Sequence, residues 1–123
     1  MSVKGKTVRR FVRLHTSDDI EQVKRQGKQI KTEWFNLVFR ENSQDCIRVA
    51  VIVGRRFGRA VVRNRTKRRF RELARMSVPV MTASVDLLVF PKRAVITQRS
   101  QTIRAHWNRS LRKAGLLSQI DCP

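Results

Sequence analysis

Residues 55–71 carry the side chains best suited to chemistry: nine Arg or Lys in seventeen positions, and no acid. Acids are absent from the whole stretch between Asp45 and Glu72. A solvated helix face ordinarily alternates in sign to gain i,i+4 pairs. Here Arg65, Arg68, Arg69 and Arg75 fall close enough around a helix to repel, at about 0.2–0.5 kcal/mol per pair. Charge left uncompensated in this way points to an external anion, with a plain solvated face as the alternative. Arg63 and Lys67 are i,i+4 neighbours, as are Arg65 and Arg69, and each pair could straddle successive phosphates. Gly54 and Gly58 permit close backbone approach. The start of the following helix offers free N–H groups to an anion. Asn64 either caps or hydrogen-bonds a ribose or base.

Groups for covalent or metal chemistry are sparse. The histidines are His15 and His106. Asp18 and Asp19 suit a helix start, and Asp86 stands alone in a strand. There is no Walker loop, no HExxH and no CxxC. Cys46 and Cys122 make neither a disulfide framework nor a four-ligand zinc site. Phe35, Phe39 and Trp107 read as core rather than stacking platforms.

The elements that must position the basic run are legible in outline. The chain has 123 residues, 28 basic and 9 acidic, for a net charge of +19 and a pI near 11.8. Arg outnumbers Lys 20 to 8, which favours bidentate grip on phosphate. Nucleic acid is the expected polyanion and an acidic membrane surface the rival. No apolar run approaches a membrane span, and no secretory signal is present, so a cytoplasmic location is expected. Residues 1–15 read as a basic arm, either frayed or folding onto RNA. Ser17 caps a short helix that stops at Gly27. Residues 34–40 and 47–53 read as strands joined in an antiparallel hairpin. Residues 59–75 read as a long helix with Val62, Thr66, Phe70, Leu73 and Ser77 facing the core, limited by Pro79. Residues 85–90 form a third strand. A last helix spans residues 100–114, with Ile103, Trp107, Leu111 and Ala114 inward and Gly115 as its stop. The expected organisation is the arm at 1–15, one α/β domain at 16–115 and a tail at 116–123.

The string from Gly58 to Glu72, GRAVVRNRTKRRFRE, resembles the Arg-Asn-Arg motif of the bacterial ribonuclease P protein component. The capped first helix, the strands around Phe35 and at 49–53, Asp86 before an apolar strand, and Leu111-Arg112-Lys113-Ala114 fall in the family's order. The resemblance implies an α+β fold: a two-layer α/β sandwich in αβββαβα order. Its four-stranded sheet would carry a left-handed βαβ crossover, like domain 2 of ribosomal protein S5. It implies a protein subunit of an endoribonuclease, with the catalytic centre in the RNA subunit. The partners would be that RNA and precursor tRNA, with no membrane and no protein partner. No cofactor is expected on the protein alone, and magnesium is required by the ribonucleoprotein. RNA binding is carried over to Arg59, Arg63, Asn64, Arg65, Lys67, Arg68, Arg69 and Arg71. A cleft for the 5′ leader is carried over to Ile20, Lys24, Phe35, Leu37, Val51, Val53, Arg55, Arg56 and Lys92. The family often places two aromatics on the first helix where Ile20 and Lys24 stand here, which removes a stacking platform. A structural RNA-binding protein, such as a ribosomal protein, fits the composition equally well.

Overall fold

Alternation along the strands sets the architecture, because successive side chains point to opposite faces. The computed structural model of the chain describes residues 10–117; the expected arm residues 1–9 and tail residues 118–123, with Cys122, lie outside the described residues. The elements in chain order are β1 (Arg10–Arg13), α1 (Ser17–Gln26), β2 (Lys28–Lys31), β3 (Phe35–Glu41), β4 (Cys46–Val51), α2 (Ala60–Ser77), β5 (Val85–Pro91) and α3 (Ser100–Lys113). Short 3-10 turns at Arg55–Phe57, Val78–Val80 and Arg93–Thr97 connect them.

The strands form one five-stranded sheet in the order β1-β4-β5-β3-β2. This corrects the expected four strands. β1 and β2 were hidden because each is four residues long and lies at an edge. The expected hairpin is also corrected: β3 and β4 do not pair, because β5 runs between them, antiparallel to β3 and parallel to β4. β5 is buried from Val85 to Val89, the signature of a central strand covered on both faces.

Both faces are covered, so the two-layer expectation gives way to helices on each side. Odd-numbered residues of β3, β4 and β5 (Phe35, Leu37, Ile47, Val49, Leu87, Val89) join Phe70 and Leu73 of α2 and Ile103, Trp107 and Leu111 of α3. Even-numbered residues (Val38, Ala50, Leu88) join Val23 of α1 and Leu14, just after β1, in a smaller cluster. The domain also reaches past its expected bounds. Arg10–Arg13 pairs with β4, and Leu116 and Leu117 are buried, with Leu117 bridging to Met81.

Two glycines end helices for different reasons. Gly115 has φ 78°, a left-handed stop that suits glycine. Gly27 is extended at φ −81°. A Cβ there would sit 2.5 Å from the Val23 carbonyl oxygen and 2.8 Å from that of Phe39. Close approach of α1 to the sheet, and not handedness, demands it.

Candidate nucleic-acid interface

α2 is anchored by its inner stripe. Thr66, Phe70, Leu73 and Ser77 are buried, as the spacing predicts, together with Ala74, while Val62 at the start of the stripe is half-buried. Phe70 meets Phe35 edge-on at 5.4 Å between ring centroids, and Trp107 closes the trio at 5.9 and 6.1 Å. The Trp107 indole Nε1 donates to Ser77 Oγ at 3.0 Å, and Ser77 Oγ donates to the Leu73 carbonyl at 2.9 Å. Thr66 satisfies its buried hydroxyl on the Val62 carbonyl at 2.9 Å. These contacts fix the helix about its axis, so its outer residues point in set directions.

The basic residues divide into two groups. Arg63 donates to the Gly58 carbonyl at 2.7 Å, tying the helix start to the loop before it. Arg69 donates to the carbonyls of Val95 at 3.4 Å and Gln98 at 2.8 Å, pinning the 3-10 turn at Arg93–Thr97 onto α2. Their guanidinium groups hold the scaffold. Arg59, Arg65, Lys67, Arg68 and Arg71 have no acidic partner within ion-pair distance among the described residues. Arg71 is half-buried, and its guanidinium is pushed below its ordinary value, first by desolvation and then by Arg13 and Arg68. Arg13 of β1, which sequence reasoning had assigned to the arm, is thus near enough to Arg71 to act on its charge. Asn64 is exposed on the same helix, and α2 has no side-chain cap from its N-cap residue, Arg59. Arg75 pairs with Glu72, whose carboxyl is held below its usual range by that hydrogen bond.

The nine residues expected to line a leader cleft do not share one face. Phe35 and Leu37 are wholly buried and Val51 is 8% exposed, all in the core beneath α2 and α3. Val53 packs against that same core. These four therefore lie on the α2 and α3 side of the sheet and not beside Ile20. A one-residue shift along a strand moves a side chain to the opposite face, and the expected set took the odd face. The α1 side instead presents Ile52 and Phe90, half-buried beside Ile20. Asn36, paired with Phe90 across β3 and β5, points the same way by alternation. Its Oδ1 is buried without a hydrogen-bond partner. Lys24, Arg55, Arg56 and Lys92 are exposed, and Lys92 Nζ donates to the Thr32 carbonyl at 2.7 Å. Sequence reasoning missed Asn36, Ile52 and Phe90; the even register of strands already in hand was the available signal.

Asp86 is not alone. Arg48 grips it with two bonds, Nε to Oδ1 at 2.7 Å and Nη2 to Oδ2 at 2.6 Å, and reaches Asp19 at 3.4 Å. Asn42 adds a third bond to Asp86 at 2.7 Å. The Arg48 guanidinium is pushed above its ordinary value, first by its hydrogen bond to Asp86. Among the described residues no three His, Cys, Asp or Glu side chains gather in a way that could hold a metal ion. No described helix is long and apolar enough to cross a membrane.

An α+β domain that holds against its sheet a cationic helix whose one acid, Glu72, is taken by Arg75 belongs to the polyanion-binding class. A model of the Ribonuclease P family matches residues 8–115. The chain is 36% identical over 113 residues to a "Ribonuclease P protein component" of Chloroflexus aggregans, covering 90% of this chain and 83% of that one. The T. maritima RNase P protein structure superposes with a TM-score of 0.73 at 30% identity, over 81% of this chain and 96% of that one. A Staphylococcus aureus RNase P protein shares the fold at TM-score 0.78 and 20% identity, over 86% of this chain and 97% of that one. The chain belongs to the ribonuclease P protein family.

Proposed function

We propose that this chain is the protein subunit of a ribonuclease P ribonucleoprotein, working on precursor tRNA in the cytoplasm. The observation that carries the reading is α2, a helix locked to its core whose outward Arg59, Arg65, Lys67, Arg68 and Arg71 have no acid of their own among the described residues. Five such cations release counterions when RNA phosphates replace them, which supplies affinity without base specificity. Arg63 and Arg69 hold the shape of that surface, and Asn64 adds an amide for a ribose or base. The partner is the catalytic RNA, which performs the scission with its own magnesium.

The α1 side of the sheet supplies a second contact. Ile20, Ile52 and Phe90 form a half-open apolar row, with the buried, unpaired Asn36 Oδ1 beneath it. Lys24, Arg55, Arg56 and Lys92 surround it with charge. A single-stranded leader needs both an apolar row for its bases and cations for its backbone. The family resemblance also leads us to propose a left-handed β4-α2-β5 crossover, to be checked in an experimental structure. Family membership does not favour a ribosomal role.

The test is reconstitution. Adding the full chain to the RNase P RNA of the same genome should raise 5′ cleavage of precursor tRNA at low magnesium. No gain over RNA alone would overturn the reading.

A further inference from the structure

A groove of ≈ 590 Å³ runs beside α2, between that helix, the Arg93–Thr97 turn and the start of α3. Its size falls in the ~300–1,000 Å³ range of small-ligand sites. Its chemistry does not match the helix next to it. Val62 and Ile96 line it from separate elements, with Thr66 between them on the α2 side. Ile96 is 40% exposed, although it sits on a turn that Arg69 pins in place through two carbonyls. One turn before Arg65, Val61 is 65% exposed. The rim carries Arg65 and Arg68. The one acid there, Glu72, is held by Arg75.

A phosphate gains nothing from Val62 and Ile96, which donate no hydrogen bonds. An aliphatic ligand or an apolar protein segment gains nothing from two guanidinium groups with no acid free to neutralise them. A nucleobase satisfies both: its faces are apolar, its edge is polar, and its own backbone brings the anion. Arg guanidinium planes also stack on bases. The end of the groove at Ser100 is the N-terminus of a fourteen-residue helix without a side-chain cap. Its free N–H groups suit the phosphate next to such a base.

We propose that this groove receives one unstacked base of the RNA whose backbone α2 holds. The inference rests on the reading of α2 as the RNA face. Arg65 and Arg68 contact the flanking phosphates, Val62 and Ile96 contact the base, and Arg69 is a positioning residue that keeps Ile96 opposite Val62.

The experiment uses the full chain and the RNase P RNA of the same genome, with affinity measured across a salt series. Ile96→Ala should bind about tenfold more weakly, with the log–log salt slope unchanged because a base contact releases no counterion. Its melting temperature should match the parent, since Ile96 is exposed, and Ile96→Leu should restore most of the affinity. Arg65→Ala should instead flatten the slope by about 0.7–0.9. Dimethyl sulfate probing should show one base protected by the parent and open again with Ile96→Ala. If Ile96→Ala binds like the parent while Arg65→Ala weakens binding, the groove takes no base and the inference falls, with α2 still the RNA face. If neither substitution changes binding, the reading of α2 falls as well. If Ile96→Ala lowers only the self-association of the free protein in sedimentation, the groove holds a second copy and the inference is overturned.

Discussion

The two faces of the sheet do different work. Beneath α2 and α3 the strands bury Phe35, Leu37, Val49, Leu87 and Val89 with an interlocked aromatic trio. Beneath α1 the cluster is smaller, and its row at Ile52, Phe90 and Asn36 is only partly covered. The first face fixes α2, so the cationic surface is rigid. The second leaves apolar and polar atoms without full partners, which is the condition for binding something else. Tight packing and binding capacity are separated by one residue of strand register.

Three substitutions test this division, from the largest stability loss to the smallest. Phe35→Ala should cost about 3–5 kcal/mol in denaturant unfolding. It should weaken precursor and mature tRNA binding alike, because it damages the platform under α2. Selective loss for precursor tRNA would place Phe35 in the cleft after all. Asp86→Ala should cost about 3 kcal/mol, since Arg48 and Asn42 lose their shared partner at a nearly buried site. A loss below about 1 kcal/mol would show that water replaces the carboxylate, and that the α1 face is more open than its packing implies. Phe90→Ala should cost only about 1 kcal/mol in stability. It should weaken precursor tRNA about tenfold, on the ~1–3 kcal/mol scale of base stacking, with mature tRNA unchanged in a filter-binding series. Equal loss for both would make Phe90 a packing residue.

Much of the fold was legible. α2 and α3 were set by apolar spacing, with Phe70, Leu73, Ile103, Trp107 and Leu111 buried as expected. Period-two alternation found β3, a β-branched run found β4, and an apolar run closed by Pro91 found β5. β1 and β2 escaped because a four-residue edge strand has too little apolar pattern to stand out from a loop. In the candidate site, the cationic run was plain from composition. That Arg63 and Arg69 turn back onto carbonyls at Gly58, Val95 and Gln98 was not. Those acceptors are backbone atoms, which carry no residue signature.

The chain by itself determined a basic helix with no acid before Glu72, the apolar stripe that anchors it and the family string it carries. These follow from local order, because charge density and helical spacing are properties of neighbours in sequence. Tertiary structure alone decided that β5 lies between β3 and β4 and that Asp86 belongs to Arg48, 38 residues away. It also decided which alternate residues of each strand meet α1. Those choices depend on which surfaces exclude water together, and strands distant in sequence settle that only when they pair.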